Sequence, residues 1–232
     1  MEAISSGQPV DKVLIRNQLK GELFQELFAS VRGQGIPFQF VPTGKLDGIT
    51  RKNHQGVIAF LSPVDFCRIE DVLPGLFEQG QNPFLLILDG LTDVRNFGAV
   101  LRTAECAGVH AVIIPQKNFA RVSEDTAKTS AGALYRIPLC RTPSLEDAAE
   151  YIKKSGIQVV GVTEKSQTDY YDVEMKNPTA LVMGAEDRGI SPGLMQKANF
   201  LARIPLAGEI DSLNVSVAAG ILIYEVVRQR KT

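Results

Sequence analysis

Arg203-Ile-Pro-Leu-Ala-Gly-Glu-Ile-Asp-Ser-Leu-Asn-Val-Ser-Val-Ala-Ala-Gly220, continuing through Ile221 to Arg230, is the stretch on which the fold turns. Asp211, Ser212 and Asn214 are helix N-cap types, each able to accept a bond from an otherwise unpaired N–H. From Val215 the chain reads as a helix that is apolar almost all round, which predicts burial rather than a solvent face. Ala218, Ala219 and Gly220 in its middle let another backbone approach closely, at a propensity cost for the glycine. Upstream, Ile204-Pro205-Leu206 reads as a short strand or strand end, followed by a loop with Gly208. A buried helix thus begins with amide and hydroxyl side chains at a strand-to-helix turn, where open α/β folds place ligands. Plain N-capping is the competing reading.

Upstream of this turn, strands and helices alternate from Phe84 onward. Phe84-Leu-Leu-Ile-Leu88 is a continuous apolar run of strand length, as expected for a strand covered on both faces. A helix follows over 97–107, with Phe97, Val100, Leu101 and Ala104 as its buried stripe and Gly108 as its stop. Strands are predicted at 111–114, 137–139, 158–162 and 180–183, with helices at 124–131 and from the Ser144 cap through Lys154. This alternation argues for a mostly parallel sheet with helices on both faces.

Residues 10–62 read as a smaller α/β unit. Strands are expected at 13–15, 38–41 and 57–61, and an amphipathic helix carries Leu23, Phe24, Leu27, Phe28 and Val31. Between the second and third strands runs a polar stretch with Lys45, Arg51, Lys52 and His54, either a solvated loop or a local RNA contact. Prolines and glycines punctuate residues 63–83 around one short helix. The predicted division is therefore a domain over 1–75, a linker over 76–83 and a second domain over 84–232.

The chain has 232 residues, 44% apolar and 22% charged, with a net charge of −1, which is ordinary for a globular protein and announces neither nucleic acid nor membrane. No apolar run approaches the roughly 20 residues that span a bilayer. The N-terminus lacks a basic and an apolar region, so no secretory signal is expected. Cys67, Cys106 and Cys140 are widely spaced and odd in number, which suits a reducing cytoplasm and predicts three small buried hydrophobes. With two histidines and no paired cysteines, no metal site is expected.

Three strand ends carry unusual polar turns. The first is Asn96-x-Gly98-x-x-x-Arg102-Thr103, in which Arg102 lies off the apolar stripe and could simply pair with Glu105. The second is Gly184-x-Glu186-x-x-Gly189, and the third is the Ser212/Asn214 helix start. No G-x-G-x-x-G follows a strand, and Ile190 stands where a P-loop needs lysine, which argues against ATP hydrolysis. Neither histidine lies in these turns, so no Ser–His or Cys–His pair is suggested.

Taken together, the three motifs resemble the SpoU/TrmH family of RNA ribose 2′-O-methyltransferases of the SPOUT superfamily. Asn96, Gly98 and Arg102-Thr103-Ala104 match its first motif, and Gly184, Glu186 and Gly189 its second. Ile204-Pro205, Gly208, Ser212-Leu213-Asn214, Ser216 and Ala218 match its third, with Leu206 in place of the usual Met. The likeness covers residues 84–230 closely. The N-terminal part resembles the family's substrate-binding domain of ribosomal-protein-L30e type, although relatives start earlier, so an N-terminal shortening is expected. His54-Gln-Gly-Val57 with its following strand resembles the subgroup that methylates a guanosine of large-subunit (23S) ribosomal RNA.

The resemblance implies a C-terminal trefoil knot, a homodimer and S-adenosylmethionine as cofactor, held mainly by the backbone of Gly184, Ile204 and Leu213. Thr163 is a further cofactor candidate by its place at a strand end. The resemblance gives Arg102 the central catalytic role. Asn96, Glu186, Ser212 and Asn214 would orient Arg102 and the nucleotide. Under a knotted dimer, Ala218–Gly220 packs either inside the knot or across the dimer. Transfer RNA is the alternative substrate; a non-catalytic RNA-binding module and a nucleotide-dependent metabolic enzyme are the competing classes.

Overall fold

Val10–Arg16 (β1) lies between Phe38–Val41 (β2), parallel to it, and Val57–Leu61 (β3), antiparallel, in the computed structural model, which describes residues 7–185 and 187–231. A parallel pair needs a crossover, and Glu22–Gly33 (α1) supplies it: Leu27 and Val31 join Val10, Val13 and Ile15 in one core. The opposite face of the sheet packs Leu14 and Val41 against Leu46. Leu46 belongs to Thr43–Asp47 (α2), a short helix in what the sequence presents as a polar loop. Its complete burial explains the difference, since one buried leucine contributes about 1.5–3 kcal/mol.

The chain divides between Asp65 and Phe66, ahead of the 76–83 linker expected from the sequence. The shift is due to Ile69–Glu78 (α3), whose Ile69 and Leu73 sit in the core of the second unit with Leu85 and Ile87.

The second unit is built on six parallel strands: Phe84–Asp89 (β4), Ala111–Pro115 (β5), Leu139–Thr142 (β6), Gln158–Val162 (β7), Thr179–Gly184 (β8) and Phe200–Ala202 (β9). Their order is β6-β5-β4-β8-β7-β9. Leu85, Leu86, Ile87 and Leu88 are completely buried, as a doubly covered strand requires. The chain runs outward from β4 through β5 to β6, then crosses over to lay down β7, β8 and β9. Loops leaving β4 and β8 therefore diverge at the sheet centre, where Asp89 lies opposite Gly184.

The flanking helices are Val94–Cys106 (α4), Glu124–Thr129 (α5), Leu145–Lys154 (α6), Pro192–Lys197 (α7) and Val215–Lys231 (α8). No helix among the described residues is long and apolar enough to cross a membrane. α4 starts before the predicted Phe97 because the Asp93 carboxylate accepts the N–H groups of Arg95 (2.8 Å) and Asn96 (2.9 Å), a cap that contributes about 1 kcal/mol. Gly98 is a packing residue: a Cβ there would collide with Thr129 of α5.

Three further expectations need correction. Ile204–Leu206 forms no strand, since β9 ends at Ala202 and the chain leaves the sheet edge there. α8 is not apolar all round: Glu225 and Gln229 are buried, while Val217 and Tyr224 are about half exposed. The buried polar pair is satisfied, because Arg228 grips Glu225 through two 2.8 Å bonds and Gln229 bonds the backbone of Val173 and Met175. Finally, only Cys140 is buried; Cys67 is half-buried and Cys106 exposed.

Candidate active site

Two chambers open at the carboxyl ends of the central strands, at the point where the strand order reverses and where α/β sheets bind ligands. The first has a volume of about 340 Å³ and lies over β7 and β8. Val162, Met183, Leu206 and Ala218 give it an apolar wall, and Thr163, Glu164, Lys165, Asp211 and Ser212 a polar one. The second, about 370 Å³, lies beyond β4 and is lined by Gly90, Thr92, Asp93, Asn96 and Asn118. Both volumes fall in the range of small-molecule sites. Ala185, Asp187, Arg188 and Val215 line both, so the chambers adjoin.

The loop after β8 is shaped by its glycines. Ala185 and Gly189 exchange two backbone bonds (3.2 and 2.8 Å), which brings the two ends of this turn together. A Cβ on Gly184 would strike the backbone of Gly189 and Ile190, and Gly189 has a φ of +67°. The G-x-x-x-x-G spacing is therefore a backbone requirement of the turn. Beyond it, the Ser191 N–H donates to Asp89 Oδ2 (2.7 Å), tying the end of this loop to the end of β4.

The third motif reaches the same place from the helix side. Asn214 Oδ1 accepts the Ser216 N–H (2.9 Å) and caps α8, while its Nδ2 donates to Asn96 Oδ1 (3.1 Å). Gly184, Ile204, Leu213, Ser212 and Thr163 all line the first chamber, and Asn96 lines the second. Arg102 lines neither: it is exposed on α4, and Glu105, its expected partner, faces Arg136 at 3.9 Å instead. Glu186 lies outside the described residues. Of the small residues of α8, Ala219 is buried, Ala218 lines the first chamber and Gly220 faces the methyl of Thr103.

Sequence reasoning missed Asp93, Asn118, Asp187, Arg188 and Lys165. Asp93 was open to discovery as a cap type before a helix. Asn118, which has a φ of +55°, and Arg188 carry no sequence signal, because their roles come from loop geometry.

An apolar wall with charged groups at its rim suits a ligand with a flat heterocycle and a zwitterionic end. Beside it, a chamber of amide, carboxylate and guanidinium groups suits a sugar phosphate. Such a pair of chambers at a sheet switch point has room for two small ligands side by side.

Residues 83–224 match the SpoU rRNA Methylase family, and residues 1–67 match the RNA 2'-O ribose methyltransferase substrate binding domain. A Bacillus subtilis protein named for the TrmH family of tRNA/rRNA methyltransferases, YacO, is 36% identical over 231 residues, covering 99% of this chain and 92% of its own. Among solved structures, an AdoMet-bound rRNA methyltransferase from Sinorhizobium meliloti superposes with a TM-score of 0.65 at 28% identity, covering 98% of this chain and 83% of its own. The SpoU methyltransferase AviRb from Streptomyces viridochromogenes, in complex with AdoMet, gives 0.65 at 25% identity, with coverage of 99% and 86%. The chain belongs to the SpoU/TrmH family of RNA methyltransferases.

Proposed function

We propose that this protein transfers the methyl group of S-adenosylmethionine to a ribose 2′-hydroxyl of RNA, with a guanosine of large-subunit ribosomal RNA as the target. The carrying observation is the pair of adjoining chambers, which share Ala185, Asp187, Arg188 and Val215, with the Asn96–Asn214 bond next to Val215. The first chamber fits the cofactor: Gly184 lines it at the end of β8, and Ile204 and Leu213 line it from irregular chain, where backbone groups are available to a ligand. When bound, S-adenosylmethionine supplies an electrophilic methyl group on a sulfonium.

The chain must hold the acceptor ribose in the second chamber and deal with its proton. No histidine lines either chamber, and a guanidinium, with a pKa above about 12, is no proton acceptor. Arg102 lines neither chamber of its own chain, so in this reading it serves the acceptor of the partner protomer of a homodimer. It grips the phosphate beside the target ribose and stabilises charge developing on the 2′-oxygen. The proton passes by way of the phosphate to water, and the cofactor leaves as its neutral thioether. One such contact is worth on the order of 10²–10³ in rate. Asn96, Asn214, Ser212 and Glu186 orient the nucleotide, and holding nucleophile and methyl in line is a further large contribution.

Arg102 stands next to Thr103, which meets α8 at Gly220, and Val217 and Tyr224 leave an apolar strip on that helix. This strip supports a homodimer in which Arg102 borders the interface. The return of the chain from β9 to pack α8 against α4 supports the trefoil knot, and the β2-β1-β3 unit supports the L30e-type substrate domain.

The test is mapping of 2′-O-methyl sites in total RNA from cells with and without the protein, with Arg102→Ala assayed in parallel using labelled cofactor. Loss of one ribosomal guanosine mark supports the reading; loss of a transfer-RNA mark moves the substrate, and unchanged marks overturn it. Near-normal turnover by Arg102→Ala removes that residue's role.

A further inference from the structure

Arg188 stands at the junction of the two chambers and has no part in the motifs. Its guanidinium lies in the space that a side chain on residue 90 would fill. Nη2 is against the Cβ position of Gly90, with Cζ at 3.1 Å and Nε at 3.3 Å. Gly90 lines the second chamber and not the first. Arg188 lines both chambers, and its guanidinium is packed at Gly90, on the wall of the second. Gly90 has a φ of +77°, so the chain at the end of β4 is both turned and stripped of a side chain where the arginine sits.

The carrier of this cation is fixed at both ends. Ala185 and Gly189 close the loop through two backbone bonds, and Ser191 is tied to Asp89. Among the described residues no carboxylate forms an ion pair with Arg188, which is exposed. The acids on the chamber wall are Asp93 and Asp187. Asp93 is engaged by two N–H groups at the start of α4, whose positive end faces the same space. A wall with one fork-shaped cation, a helix start, two amides and two carboxylates matches a nucleotide, which presents phosphate oxygens and hydroxyl donors together. It does not match an apolar ligand. A guanidinium holds a phosphate through paired N–H donors, which an ammonium cannot reproduce.

We propose that Arg188 grips a phosphate of the RNA acceptor in the second chamber, as a substrate-binding residue distinct from Arg102. This rests on the reading of the second chamber as the RNA site.

The test compares wild type, Arg188→Ala and Arg188→Lys in two assays. The first is anisotropy of a fluorescein-labelled single-stranded oligoribonucleotide across a salt series; the second is titration with S-adenosylmethionine. Arg188→Ala is expected to weaken RNA binding about tenfold and to lower the slope of log affinity against log salt by about one, the signature of one lost phosphate contact. Arg188→Lys should recover part of the affinity, and cofactor affinity should stay within about twofold in both variants, as for a guanidinium seated at Gly90 on the second chamber's wall. Unchanged RNA affinity and salt slope overturn the proposal. So does a loss of cofactor affinity with RNA binding intact, which would give the guanidinium to the cofactor's carboxylate. Because binding is read without turnover, a wild type that binds RNA but methylates none would sink the proposed activity and leave the Arg188 result standing.

Discussion

The side-chain amide of Asn214 donates to the side-chain oxygen of Asn96 at 3.1 Å, joining two motifs 118 positions apart in the chain. One residue sits in the first turn of α4 and the other caps α8, and these helices pack against each other. The bond stands beside Val215, which lines both chambers.

If the pair acts as a unit, its members are not additive. Asn96→Ala and Asn214→Ala are each expected to reduce methyl transfer by about 10²-fold, with the double variant little worse than either single one. Asn214→Ala should in addition cost about 1 kcal/mol of stability through loss of the α8 cap, whereas Asn96→Ala leaves the Asp93 cap intact. Denaturant titration and turnover on the four proteins check both; multiplicative losses in the double variant would refute the coupling.

The two glycines of the second and third motifs are predicted to behave differently. Gly184→Ala places a methyl against the backbone of Gly189 and Ile190, which cannot swing away as a side-chain tip could. It should destabilise the protein by about 1–3 kcal/mol and abolish cofactor binding. Gly208→Ala meets nothing within 4 Å and should change stability by less than about 0.5 kcal/mol. Equal stability of the two variants would show that the turn at 185–189 relaxes.

The sequence made the parallel sheet legible because doubly covered strands such as Leu85–Leu88 are unbroken apolar runs and α4 keeps its stripe at helical spacing. Gly184, Ile204 and Leu213, singled out as cofactor contacts only by the family resemblance, all line the first chamber. The sequence could not show that α2 exists, since a single buried leucine within a polar stretch has no periodicity. Nor could it place Arg188 over Gly90, because that contact spans two loops with no shared pattern. α8 misled for a related reason: Glu225 and Gln229 are buried through partners on its own last turns and on residues 173 and 175, while Val217 is left outside.

The cysteines give a chemical check on burial. The Cys140 thiol is pushed up to about 12 by desolvation, with Cys67, Glu70 and Asp71 adding to the effect. Only the thiolate reacts, so at pH 8 about one Cys140 in 10⁴ is competent, and access is closed as well. Iodoacetamide should modify exposed Cys106 first and Cys140 only on unfolding. Peptide mapping of native protein reads the order directly, and early labelling of Cys140 would contradict its packing.

The far end of α8 predicts an acid-sensitive anchor. Arg230 donates to the carbonyls of Asn82 (2.9 Å), Pro83 (3.0 Å) and Asn177 (2.9 Å), and its guanidinium lies 5.2 Å from the Phe84 ring centre. His110 is close by, accepting the Phe84 N–H at Nδ1. Burial, and then the Arg230 charge, hold His110 below its ordinary value of 6.5. The folded state thus binds this proton less readily than the unfolded chain, so His110 costs nothing above pH 6.5. Stability is lost as pH falls below 6.5 toward the lowered folded value. Arg230→Met should lower the whole curve by about 2 kcal/mol, through lost charge-assisted bonds to backbone carbonyls. It should also flatten the limb below pH 6.5, because a principal cause of the His110 shift is gone. His110→Gln should flatten the same limb without the uniform drop. Denaturant melts of the three proteins at pH 8, 7, 6 and 5 distinguish these outcomes. An Arg230→Met protein with full stability and an unaltered limb would mean that this end of α8 is held by its apolar contacts alone.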